Sequence, residues 1–338
     1  MSWKGEKDPY RIWLSEIILQ QTRVEQGLLY YNKFISQFPT IHDLAHAEEK
    51  VIFKCWEGLG YYNRCRNMIS TAKKIAFENK GRFPSDYNEI LALKGVGPYT
   101  AAAIASFAFS LPYAVVDGNV ERVLSRYFGI TTPVDSAAGK KMFNGIAQSL
   151  LNKKNPGVFN QAMMDFGATV CKPKNPLCLI CVQSLNCQAF QNEWISELPV
   201  RKKAAPRKTR WLYYFVIRSG KNKYWIRERT NEDIWKNLYE FVLWETGKCI
   251  PQSKLPSNPF LKKNFVKGGF QIKYISPFFS QILTHQTIKG CFVHIIPSNS
   301  FKPEIEYQSV TLSELKKYPF PKIIKDYISL NTAQKRLW

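Results

Sequence analysis

The sequence predicts an α + (α+β) chain: an all-helical first part, then a mixed α+β second part. Three observations carry this. Apolar residues recur at three- and four-residue spacing from Tyr10 to Val170. From Trp211 the period changes to that of strands. Between the two lie four cysteines, at Cys171, Cys178, Cys181 and Cys187, and then Arg201 to Arg210, where six of ten residues are Lys or Arg and none is acidic. The expected division is 1–193, a basic linker over 194–210, and 211–338. At 338 residues each part is long enough to bury its own core.

Taken in order, Asp8-Pro9 reads as a helix start, with Asp as cap and Pro at the first position, and the helix is expected from about Tyr10 to Gln21. Glu16 lies inside it, near Ile12, Trp13 and Leu19. Read alone, this helix puts Glu16 on the surface and Ser15 on its wet side, because a carboxylate on an apolar face is costly unless paired or protonated. Helices follow over Val24 to Gln37 and Glu48 to Trp56. The pattern breaks across Leu59 to Arg64, then resumes from Asn67 to Glu78 and from Tyr87 to Leu93. Gly95-Val96-Gly97-Pro98-Tyr99-Thr100 precedes a small-residue helix. Two glycines around one apolar residue allow a tight turn, and the next helix offers free N–H groups to a phosphate, the pattern of a helix-hairpin-helix. Asp117 or Asn119 caps the following helix, and Phe159 to Val170 leads into Cys171. In the second part, strands are expected over Trp211 to Arg218, Lys223 to Arg227, Leu238 to Trp244 and Cys291 to Ile296, with a helix over Leu312 to Tyr318.

The cysteine spacing, C-x6-C-x2-C-x5-C, asks for a metal group. A [4Fe-4S] cluster takes four thiolates in one compact loop, whereas zinc sites usually pair two C-x2-C knuckles and only one is present. A disulfide-rich loop fits poorly, since no secretory signal precedes it. The longest apolar run, Ala101 to Phe109, is too short to cross a membrane. With no targeting segment, the expectation is a cytoplasmic protein with no membrane partner. The formal charge of +22 fits a polyanion binder, most often nucleic acid.

The run Ser15 to Val24, the hairpin Gly95 to Ala101, Val116-Asp117-Gly118-Asn119-Val120 and the cysteine loop together resemble the MutY family of adenine DNA glycosylases, in the helix-hairpin-helix (endonuclease III) superfamily. Asp233 to Phe241 is similar to that family's Nudix-like domain, which reads 8-oxoguanine. No glutamate-rich Nudix box follows Glu240, so no pyrophosphatase activity is expected. The resemblance implies a monomer acting on duplex DNA that contains adenine opposite 8-oxoguanine or guanine. It implies Glu16 as the general acid, Asp117 as the carboxylate that stabilises an oxocarbenium-like sugar, and Asn119 as the residue that orients this site. Tyr99 stands where bifunctional relatives carry a lysine, so water is the expected final nucleophile and Lys94 a phosphate contact. It further implies DNA contacts by Gln21, Tyr61, Gly95, Val96 and Gly97, an adenine pocket including Trp3, Lys4 and Gln161, and an 8-oxoguanine contact at Thr284 and His285. An endonuclease III-like lyase would carry Lys at 99. A thymine-mismatch glycosylase would lack the second domain. A non-catalytic iron–sulfur DNA-binding protein would need none of Glu16, Asp117 and Tyr99.

Overall fold

The structure is a computed structural model that describes residues 5–202, 206–218, 223–258, 261–262, 269–298 and 306–334. Its contacts fall into two units, Met1–His46 with Arg66–Ala204, and Ala47–Cys65 with Ala205–Trp338.

The first unit is helical. Helix α1 (Pro9–Leu19) begins as its sequence dictates: the Tyr10 N–H donates to the Asp8 carboxylate at 2.9 Å, and Pro9 holds the first position. It ends earlier than expected, because Gln20 leaves the helix and Gln21 turns to φ 54°. Helices α2 (Val24–Gln37) and α7 (Pro98–Phe109) both pack on α1. Tyr10, Ile12, Trp13, Leu14, Ile17 and Ile18 are all buried. This corrects the reading of α1 taken alone. A helix enclosed on nearly every side has no wet face, so Ser15 is 2% exposed and Glu16 8%. Ser15 satisfies its hydroxyl locally, donating to the Ile12 carbonyl at 2.8 Å.

Helix α3 (Ile41–His46) also belongs to this unit, α4 (Glu49–Trp56) belongs to the second, and α5 (Tyr62–Lys73) continues as a π turn over Lys74–Glu78. The expected break over residues 59–64 is therefore shorter. Positive φ at Gly60 and Tyr61 confines it, and Tyr62 is already helical. Helix α6 (Tyr87–Leu91) is capped by Asp86, and Gly97 caps α7, so these two helices flank the glycine hairpin. Gly95 has φ 81°, and a Cβ there would stand 2.7 Å from the Asn67 Cβ. Helices α8 (Gly118–Phe128), α9 (Ala137–Leu150) and α10 (Pro156–Thr169) follow, with Val120, Leu124, Phe143 and Ala147 in one small core. After the cysteine loop comes the short α11 (Gln188–Gln191). The start of the basic stretch is fixed to this unit: Arg126 Nε donates to the Leu198 carbonyl at 3.1 Å, and the Lys202 N–H to Asp135 Oδ1 at 3.0 Å.

Among the described residues, the second unit carries a sheet of seven strands: β1 (Lys208–Ile217), β2 (Lys223–Glu228), β3 (Tyr239–Thr246), β4 (Phe270–Ile275), β5 (Phe279–Ile282), β6 (Gln286–Pro297) and β7 (Gln308–Thr311). Their order is β4-β6-β1-β3-β2-β7, with β5 also beside β6. Of these pairings, β1 with β6 is parallel and the rest are antiparallel. The two-residue period of β1 sorts its aromatics. Tyr213, Phe215 and Ile217 join Val242, Val293 and Ile295 in one core. Tyr214 faces the other way and stacks on Phe292, which stacks at 3.7 Å on Tyr327 of the terminal helix α13 (Lys322–Gln334). Helix α12 (Leu312–Leu315) is shorter than expected. None of the eight cysteines is in a disulfide. Among the described residues no helix is long and apolar enough to cross a membrane.

Gly95→Ala forces a side chain into the left-handed region and against Asn67. It should lower the unfolding free energy by about 1–3 kcal/mol, measured by chemical denaturation. A variant as stable as the native protein would show that the hairpin does not require glycine here.

Candidate active site

A cavity of about 570 Å³ opens in the helical unit, within the range of sites that hold a small ligand. Its lining includes Glu16 from α1, Tyr99 from α7, Asp117 and Asn119 from the start of α8, and Gln161 and Asp165 from α10. Residues far apart in sequence thus meet because α1, α7, α8 and α10 converge.

Burial pushes the Glu16 carboxyl up from 4.5 to about 7; a hydrogen bond from Tyr99 opposes the shift and the nearby Asp117 charge adds to it. Burial also raises the Tyr99 phenol, aided by Glu16 and Asp117, so it stays a donor to Glu16. Asp117 has different company. Its Oδ1 accepts from the N–H groups of Asn119 and Val120 at 2.9 and 2.8 Å, which caps α8. Its Oδ2 accepts from Asn119 Nδ2 at 2.6 Å.

Asn119 is itself held from behind. Arg122 Nη2 donates to Asn119 Oδ1 at 2.8 Å and to the Gly167 carbonyl at 2.6 Å, and Arg122 Nε donates to the Cys171 carbonyl at 2.7 Å. One buried guanidinium therefore joins the Asp117 turn to the end of α10 and the first cysteine. Gly167 permits the approach: a Cβ there would come within 2.7 Å of Asn119. Sequence reasoning passed over Arg122 and Asp165. The only signal for Arg122 was its spacing, three residues past Asn119 on a helix face that also bears Val123 and Arg126.

Cys171, Cys178, Cys181 and Cys187 line one apolar pocket with Val123, Tyr127, Val170 and Phe190. Arg126 Nη1 lies 3.5 Å from Cys171 Sγ. Among the described residues no three His, Cys, Asp or Glu side chains converge tightly enough for a single metal ion. Four thiol side chains lining one pocket match the donor set of a multi-iron group.

The remaining expected residues scatter. Gly95, Val96 and Gly97 form the hairpin turn, with Val96 buried, and Lys94 is exposed there, outside the cavity lining. Gln21 is exposed beside α1. Tyr61, in the second unit, hydrogen-bonds Thr284 at 2.8 Å between hydroxyl oxygens. Thr284 and His285 are exposed in the turn between β5 and β6. Trp3 and Lys4 lie outside the described residues.

The profile of HhH-GPD superfamily base excision DNA repair proteins matches residues 14–147, and that of the NUDIX domain matches residues 213–330. An adenine DNA glycosylase of Buchnera aphidicola (subspecies Schizaphis graminum) is 36% identical over 299 residues, covering 88% of this chain and 82% of that protein. The chain belongs to the adenine DNA glycosylase family, enzymes that hydrolyse an N-glycosidic bond. The human adenine DNA glycosylase is 42% identical over 187 residues, 55% of this chain and 34% of that one. Among solved structures, a thermostable thymine-DNA glycosylase aligns at TM-score 0.53 and 31% identity, covering 57% of this chain and 88% of that one. Endonuclease III in a complex with DNA aligns at TM-score 0.50 and 22% identity, over 56% and 86%, a likeness of fold alone.

Arg122→Met keeps the aliphatic stem but leaves the Cys171 and Gly167 carbonyls and Asn119 Oδ1 without their donor. Stability should fall by about 2–4 kcal/mol. A thermal midpoint matching the native protein's would contradict the bridge.

Proposed function

We propose that this enzyme flips adenine out of duplex DNA, from opposite 8-oxoguanine or guanine, and hydrolyses its glycosidic bond. The observation that carries the reading is Glu16: a buried carboxyl raised to about 7, sharing one cavity with Asp117. A base stacked in a duplex is out of reach of such a cavity, so the nucleotide must be extruded.

Glu16, held protonated, gives its proton to adenine N7. The bond between C1′ and N9 then breaks, and its electron pair leaves with the base. Positive charge develops on the sugar, and the Asp117 carboxylate stands against it, fixed by three N–H donors before the reaction begins. Water adds at C1′ and loses a proton to a carboxylate, leaving an abasic site and free adenine. Tyr99 has no amine to form an imine, which supports a monofunctional reaction. Asn119 orients Asp117, and Gln161 belongs to the base pocket. Trp3 and Lys4 are proposed for that pocket on resemblance alone.

Recognition of the opposite base is assigned to Thr284 and His285, with Tyr61 and Gln21 entering the base stack. The bond from Tyr61 to Thr284 supports treating those two as one element. Hairpin residues 95–97 and the net charge of +22 supply phosphate contacts. The four cysteines are proposed to hold a [4Fe-4S] cluster. When bound, it serves as a staple for a loop whose Leu179, Ile180, Val182 and Leu185 are exposed and contribute no core. A cytoplasmic monomer is part of the same proposal.

The test is single-turnover excision on duplexes with adenine opposite 8-oxoguanine, guanine or thymine, read as strand scission with and without alkali. Scission should need alkali and should be fastest opposite 8-oxoguanine. The rate should be level at acid pH and fall about tenfold per pH unit above roughly 7, because the general acid of raised pKa loses its proton there. Scission without alkali, or a rate that rises through pH 7, would overturn the mechanism.

A further inference from the structure

Gln161 and Asp165 stand one helical turn apart on α10, and both line the cavity. Gln161 Nε2 donates to Asp165 Oδ1 at 3.0 Å. The chemistry of the pair removes an ambiguity that an amide normally carries. A carboxylate accepts and does not donate, so only the NH2 end of the amide can face Asp165. The carbonyl end must then point elsewhere.

We infer that Asp165 is a specificity-positioning residue: by holding the NH2 of Gln161, it presents the Gln161 carbonyl to the cavity as an acceptor for a 6-amino purine. The inference rests on the reading of Gln161 as part of the base pocket and deepens it. Adenine carries a donor at position 6. Hypoxanthine, its 6-oxo analogue, carries an acceptor there, and two facing acceptors repel. Without Asp165 the amide is free to turn over and meet either purine, so a polar site that discriminates becomes one that does not. Asp165 acts through Gln161 and need not touch the base.

The test compares adenine with hypoxanthine, each opposite 8-oxoguanine, in the full-length protein. Both the half-saturating enzyme concentration and the maximal single-turnover rate are read. Asp165→Asn is nearly isosteric but both donates and accepts. It should weaken adenine excision by roughly tenfold, the scale of one hydrogen bond, chiefly in the half-saturating concentration. Hypoxanthine excision should hold or rise. Gln161→Glu added to Asp165→Asn should restore the preference for adenine. In that double variant the amide now at position 165 donates to one oxygen of the carboxylate now at position 161, and the other oxygen is left as an acceptor. A merely structural role predicts that both substrates fall together and that the second change brings no rescue; that outcome, or an unchanged ratio in Asp165→Asn, would overturn the inference. If the native enzyme left adenine in place, the functional reading would fail first and this inference with it.

Discussion

Asp117 answers two demands with one side chain. Its carboxylate caps the first turn of α8 and also lines the cavity. Losing such a cap costs about 0.5–2 kcal/mol, so the carboxylate cannot swing away without loosening the helix that carries Asn119 and Arg122. Arg122 closes the arrangement from behind, binding Asn119, Gly167 and Cys171 at once. A charge that must meet a developing cation is most useful when it is already in position. Here the position is set by the folding of α8, and α10 can come close enough to share the bridge only because residue 167 has no side chain.

Glu16 and Asp117 show how one fold gives two carboxyl groups in one cavity different surroundings. Asp117 accepts three N–H bonds. Glu16 sits in an enclosed helix with the Tyr99 hydroxyl as a donor, and burial dominates its titration. Tyr99 lines the same cavity, and its hydroxyl tempers the shift on Glu16.

Much of this was legible in the sequence, and the failures have physical causes. The Asp8-Pro9 start, the glycine hairpin and the Asp117 cap are local signals, fixed within a few residues, and each stands as expected. The surroundings of Glu16 were not legible from α1, because amphipathic reasoning assumes one wet face and α1 has none. Strand β1 was legible from its run of apolar and aromatic residues, whereas β4, β5 and β7 are short and largely exposed or half-buried, so they lack the long apolar run that marks a central strand. Arg122 and Asp165 act through partners 45 to 49 residues distant or one turn along a helix. The Arg122 contacts cannot be seen until α8 and α10 are brought together, and the Asp165 contact shows only once residues 161 and 165 share one turn of α10.

The central claim is that Glu16 supplies the proton that lets adenine leave. Glu16→Gln keeps the size and hydrogen-bonding shape of the side chain and removes the ionisable proton, so single-turnover excision from an adenine:8-oxoguanine duplex measures that proton directly. The account predicts a fall of at least about a hundredfold, the usual scale of general acid catalysis, with duplex affinity retained because phosphate contacts dominate it. Near-native excision by Glu16→Gln would contradict the account.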